Sequence, residues 1–183
     1  MEQDNDFNLI KRFLDGDENA FNLLVKKYQK KIYWHARQML GNHSDADEVT
    51  QEVLIVIYKK LMTFNFNSSL YTWIYKIVST RSLNQIRKRQ VKRFFSIDDD
   101  ENEFELKDST DIVEDINNKE KLEKVERILQ KLPPKQRQIF ILRNYDQLSY
   151  EEIAKITGKT VGGLKANYFH ALKKVLELTN ENK

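Results

Sequence analysis

Apolar residues recur along this chain at intervals of three and four, the spacing of helices with one buried face. Residues 7–14 and 18–39 carry the pattern, the second through Phe21, Leu24, Val25, Tyr28, Ile32, Tyr33 and Ala36, and Asp15-Gly16-Asp17 predicts the turn between them. Gly41-Asn42-His43-Ser44-Asp45 interrupts it again. Ser44 or Asp45 suits the cap of a helix running to about Met62, with Val49, Val53, Val56, Ile57 and Leu61 as its inward stripe. On its other side Asp47, Glu48, Gln51 and Glu52 form an acidic face with Leu54 and Ile55 beside it. An acidic face next to apolar residues suits docking of a basic partner, where a plain solvated helix needs only the charge.

Residues 63–69 predict a loop carrying Phe64, Asn65, Phe66, Asn67 and Ser68, and Ser68 or Ser69 caps the helix that follows. Its buried stripe is Leu70, Trp73, Ile74, Ile77 and Val78, and its opposite face shows Tyr71, Tyr75, Lys76, Thr80, Asn84, Arg87 and Lys88. Residues 96–118 have little apolar periodicity and read as an extended linker. It offers few apolar groups to hold what it joins, which predicts relative motion of the two sides. Residues 119–132 look helical, Pro133-Pro134 breaks the chain, and Pro134 suits the first turn of a helix through Ile139, Phe140 and Leu142 to Tyr145.

Residues 147–176 then read as a helix-turn-helix. Ser149 and Glu152 are spaced for a capping box, Leu148 and Ile153 for a hydrophobic staple, and Gly158 for a left-handed helix end. Thr160 caps a second helix with Leu164, Tyr168, Ala171, Leu172 and Val175 inward, leaving Lys165, Ala166, Asn167, Phe169, His170 and Lys173 outward. Such a strip suits a DNA major groove, although an ordinary helical corner has the same local pattern.

Few glycines and prolines, five and two in 183 residues, agree with an all-α protein of two small helical domains joined by an acidic flexible linker. The boundaries fall at 1–93, 94–118 and 119–183. A net charge of +3 hides segregation along the chain. Residues 71–93 hold seven Lys and Arg and no acid, whereas residues 98–120 hold eleven acids against Lys107 and Lys119. The basic run with its aromatics suits phosphates and unstacked bases, while the acidic stretch suits mimicry of nucleic acid. Absence of cysteine excludes disulfides, thiol catalysis and cysteine zinc sites, and fits a reducing cytoplasm. No signal peptide or membrane span is expected. His35, His43 and His170 are scattered, His43-Ser44-Asp45 is too local for a triad, and no glycine loop suits ATP; neither catalytic site, metal nor cofactor is expected.

Two separated blocks resemble one family. Residues 45–54 (Asp-Ala-Asp-Glu-Val-Thr-Gln-Glu-Val-Leu), Phe64 and Trp73-Ile74-Tyr75-Lys76-Ile77 are similar to domain two of the extracytoplasmic-function sigma factors of bacteria. Leu132-Pro133-Pro134-Lys135-Gln136-Arg137, residues 148–154 and residues 160–165 are similar to their domain four. The resemblance implies that Asp47, Glu48, Gln51, Glu52 and Leu54 dock on core RNA polymerase. Phe64, Asn65, Asn67, Ser68, Tyr71, Tyr75, Lys76, Thr80, Asn84, Arg87 and Lys88 would open the minus-ten element and hold a flipped base. Thr160, Lys165, Ala166, Asn167, Phe169, His170 and Lys173 would read the minus-thirty-five element. An anti-sigma protein as inhibitor is also implied, and, apart from the resemblance, the free protein is expected to be a monomer. Thr80 and Asn84 stand where the family commonly has Asn and Asp, and Ala166-Asn167 and His170 where it has Ser-Arg and Arg. Fewer guanidinium contacts to guanine result, while Asn167 suits adenine, so promoter specificity is expected to differ. A helix-turn-helix repressor or activator is the rival reading, and it predicts tight binding of free protein to a duplex operator.

Overall fold

A computed structural model describes residues 5–95 and 124–180. The linker reading, the start of the helix expected at 119 and the first four residues lie outside them. Within the described residues the chain is helical: α1 (Asp6–Leu14), α2 (Glu18–Leu40), α3 (His43–Lys60), a short 3-10 turn (Leu61–Thr63), α4 (Leu70–Phe95), α5 (residues 124–130), α6 (Pro134–Asn144), α7 (Tyr150–Thr157) and α8 (Val161–Asn180).

Helix ends follow local chemistry. Asp17 caps α2, and Gly41 ends it in the left-handed region at φ 79°. The α3 cap is Asn42, not Ser44 or Asp45: its Oδ1 accepts from Asp45 N at 2.9 Å, so the helix starts earlier than expected. Ser69 Oγ accepts from Thr72 N at 3.1 Å and starts α4. Pro134 opens α6. Ser149 and Glu152 form the predicted capping box of α7, with Leu148 and Ile153 both buried, and Gly158 closes the helix at φ 69°.

α2, α3 and α4 pack on one another with α1 against α2; α6, α7 and α8 form the second group. The groups are also packed together. Contacts of α2 and α4 with α6 and α7 carry one apolar core through both. Composition of the linker could not reveal this, because helix faces form the seam.

Polar groups pin the seam at two places. Near the end of α2, Arg137 is 6% exposed and donates to the carbonyls of Met39 (2.5 Å), Gln130 (2.8 Å) and Leu132 (3.2 Å) and to Gln130 Oε1. Gln130 Nε2 in turn donates to the Gln38 carbonyl at 3.0 Å, and Arg37 pairs with Glu126 at 3.0 Å. Farther along, His35 Nδ1 meets Asp146 Oδ2 at 2.6 Å, and the Tyr71 hydroxyl donates to the Asp146 carbonyl at 2.9 Å.

Candidate nucleic-acid interface

The acidic face of α3 stands at the surface. Asp47, Glu48, Gln51 and Glu52 are exposed, with exposed Ile55 beside them, while Leu54 is half-buried against the core. Part of this charge is already matched. Arg81 lies 3.4 Å from Glu52, Gln85 Nε2 donates to Glu48 (3.2 Å) and Asp45 (3.3 Å), and Arg89 pairs with Asp45. The premise that the cations of residues 71–93 lack a compensating acid is therefore corrected. Counting along the sequence missed acids lying one helix away. Arg81 and Arg89 serve α3, whereas Lys76, Arg87, Lys88, Lys92 and Arg93 are exposed along α4.

Along α4 the expected reading face divides. Lys76, Thr80, Asn84, Arg87 and Lys88 are exposed, and Thr80 Oγ1 donates to the Lys76 carbonyl at 2.7 Å. Tyr71 is half-buried, and Lys31 Nζ sits 5.3 Å above its ring. Tyr75 is 2% exposed and belongs to the buried stripe, its ring edge-on to His35 at 5.3 Å. Placing it on the open face was incorrect. A 3.6-residue repeat puts Tyr75 with Val78, Ser79 and Ser82, all buried, one step round from Lys76. Burial, aided by the Asp146 carboxylate, pushes its phenol well above the usual tyrosine range, and burial raises Tyr71 as well.

In the preceding loop the two phenylalanines are placed differently. Phe64 is 7% exposed and packs on Phe66 (4.9 Å) and half-buried Trp73 (5.4 Å), so it anchors the loop. Phe66 is 47% exposed and adopts φ 58°, a region costly for a bulky side chain. Its ring, 5.2 Å from that of Phe7 and flanked by exposed Asn65 and Asn67 and half-buried Ser68, keeps a surface open to solvent, as stacking on a base would require. Sequence reading noticed Phe66 without assigning it to the site. No periodicity tells an anchoring phenylalanine from a presented one.

On α8 the predicted strip faces outward. Lys165, Ala166, Phe169, His170 and Lys173 are exposed, and Thr160 Oγ1 accepts from Gly163 N at 3.3 Å at the helix start. Asn167 is half-buried, with Nδ2 donating to the Gly163 carbonyl at 2.7 Å; its second amide hydrogen and its carbonyl point of acceptance suit an adenine edge. His170 and Lys173 also line a shallow groove with Lys131, Pro133, Gln136, Lys174 and Glu177. The strip thus continues into a mostly basic groove suited to phosphates.

Comparison with known proteins agrees with both blocks. Residues 24–91 match the family described as Sigma-70 region 2, and residues 122–175 match Sigma-70, region 4. The chain is 36% identical over 177 residues to the ECF RNA polymerase sigma-E factor of Escherichia coli K12, covering 93% of this chain and 92% of that one. It is 31% identical over 178 residues to the RNA polymerase sigma-H factor of Pseudomonas aeruginosa, with coverage of 93% and 92%. Among solved structures, CnrH in complex with the cytosolic domain of CnrY superposes with a TM-score of 0.73 at 20% identity, covering 97% of this chain and 99% of that one. The sigma factor RpoE of Bartonella quintana, in complex with the anti-sigma factor NepR, gives 0.72 at 23% identity, covering 89% and 98%. These last two likenesses establish the fold.

Proposed function

The chain belongs to the extracytoplasmic-function sigma factors of RNA polymerase, and from that premise we propose how its surfaces divide promoter recognition between them. It is an alternative sigma factor: it binds core RNA polymerase and directs transcription initiation, which displaces the reading as a free-standing repressor.

In our reading domain two spans 1–93, the linker 94–118 and domain four 119–183. Asp47, Glu48, Gln51 and Glu52, with Leu54 and Ile55 at their edge, dock on a basic surface of the core enzyme. Phe66 and Tyr71 supply rings for an extruded minus-ten base while Lys76, Arg87 and Lys88 take phosphates. One extruded base costs a few kcal/mol, on the order of what stacking on an aromatic returns at about 1–3 kcal/mol. Lys165, Asn167, Phe169, His170 and Lys173 on α8 read the minus-thirty-five element. The protein works in the cytoplasm and is a monomer when free. CnrH and RpoE were each solved with a protein partner, CnrY and NepR, and an inhibitor of that kind is expected here.

The observation that carries the reading is identity spread over both matched regions, with an exposed acidic helix in one and an exposed basic recognition strip in the other. Purified protein with bacterial core polymerase, on fragments upstream of its own genome's genes, should give discrete transcripts that need both components. Glu48→Lys with Glu52→Lys should abolish core binding without unfolding the chain, since exposed pairs such as Arg81–Glu52 contribute about 0–1 kcal/mol. Transcripts that survive the double reversal would exclude this face as the docking site.

A further inference from the structure

A helix of nine residues is marginal by itself, so α1 keeps its place through what it packs on. Leu9 and Ile10 are buried in the core, and the first turn is tied down separately. Asn5 Oδ1 accepts from Phe7 N at 3.4 Å and starts the helix. Asp6 then fixes this turn on α2: one carboxylate oxygen accepts from the Tyr28 hydroxyl at 2.5 Å, the other from Lys27 Nζ at 2.7 Å. Hydrogen bonds to a charged acceptor are the stronger kind. Tyr28 is buried, and its ring centre lies 6.4 Å from that of Tyr71. Lys31 Nζ sits over both rings, 6.0 Å from Tyr28 and 5.3 Å from Tyr71. Asp6 thus backs Tyr71 through one intervening ring.

Phe7 is the next residue along, half-exposed, with its ring 5.2 Å from that of Phe66 and inclined to it by 53°. Phe66 holds φ 58°, a backbone state that a bulky residue keeps only where its surroundings fix it. Among the described residues its ring neighbours are Phe64 and Phe7. Phe64 belongs to the same loop, whereas Phe7 comes from a separate helix already clamped by Asp6.

We propose that the first turn of α1 braces the base-reading rings, Phe7 positioning Phe66 and Asp6 positioning Tyr71 through Tyr28. The proposal rests on the reading of Phe66 and Tyr71 as the stacking rings given above. Rings held in place before a base arrives lose less freedom on binding it than side chains of a loop left to turn. Asp6 and Phe7 are positioning residues: they act through other side chains and need no contact with DNA.

The test uses full-length protein in holoenzyme, and the probe is the single non-template strand across the minus-ten element of a promoter recovered by transcription. Phe7→Ala should weaken binding about fivefold, the lower end of what one stacked base contributes. Phe7→Tyr keeps the ring and should bind as wild type. In a Phe66→Ala background, Phe7→Ala should change affinity by less than about twofold, because the brace has nothing left to hold. Asp6→Ala should weaken binding about threefold, and that effect should vanish in a Tyr71→Ala background. Equal penalties with and without the braced ring, or no penalty at all, overturn the proposal. So does loss of affinity for core polymerase in Phe7→Ala, which would make Phe7 a general packing residue. A readout without DNA is the fluorine spectrum of protein carrying 4-fluorophenylalanine, with the Phe66 line identified by Phe66→Leu. In Phe7→Ala that line should narrow and move toward the free amino acid, and an unmoved line overturns the brace. If Phe66→Ala itself binds the strand as wild type does, the reading of Phe66 as a stacking ring fails instead, and the fluorine spectrum still decides whether Phe7 holds it.

Discussion

Replacing Arg137 by alanine tests whether the seam depends on one buried cation. The guanidinium serves carbonyls of Met39, Gln130 and Leu132 and the Gln130 side chain, and burial lowers its pKa to about 10 while leaving it charged at neutral pH. Met39 and Leu132 are themselves buried, so truncation strands their carbonyls away from water. Each such loss costs about 1–3 kcal/mol, which puts the variant roughly 2–6 kcal/mol below wild type. That is a large share of a domain stability of about 5–15 kcal/mol. With a urea slope of about 2 kcal/mol/M, the midpoint of the affected transition should fall by roughly 1–3 M. Both tryptophans, Trp34 and Trp73, lie on α2 and α4, so fluorescence reports the N-terminal group while circular dichroism reports all helices. In Arg137→Ala the dichroism transition should begin earlier than the fluorescence one. Arg137→Lys, which keeps charge and loses the fork of donors, should fall between. Coincident transitions in Arg137→Ala with a midpoint moved by less than about 0.3 M would refute the reasoning.

Phosphate contacts are checked through salt: Arg87→Ala and Lys88→Ala should each lower the slope of log affinity against log salt by about 1 on promoter DNA, in holoenzyme, with little change in stability. In alkali, the raised phenols of Tyr28, Tyr71 and Tyr75 favour the neutral form in the folded chain. Their stabilisation is complete below the ordinary tyrosine value of 10.0 and is lost as pH climbs above it, so denaturation midpoints followed across that range should drop together with the appearance of tyrosinate absorbance. A midpoint that rises there contradicts the assignment. Gly158→Ala meets nothing within 4 Å and should cost only the left-handed backbone, about 1–2 kcal/mol, whereas at Gly41 the added methyl meets Gln130 at 2.5 Å. Gly41→Ala should therefore cost more in melting experiments and also loosen the seam, because Gln130 has to release Gln38.

Helix positions and the helix-turn-helix were legible because periodicity and caps are local. Ser149, Glu152 and Gly158 announce α7 within ten residues, and the α8 strip follows from the same repeat. What local pattern could not carry was pairing between helices. Glu52 with Arg81 and Asp45 with Arg89 look in sequence like separate acidic and basic runs. A clue to the seam was nevertheless present. His35 falls on the stripe of Tyr28, Ile32, Ala36 and Met39, and a histidine among core positions requires a polar partner, although nothing in the sequence says that it is Asp146. Arg137 within the buried run 137–142 of α6 makes the same demand.

The acidic face of α3 lies on a helix that packs on α2 and α4, while the seam joins α2 and α4 to α6 and α7. This separation has a kinetic meaning. With α3 as the docking face proposed above, an encounter with the polymerase would not require the packing of α2 and α4 on α6 and α7 to be broken first, and its rate would rise in proportion to polymerase concentration.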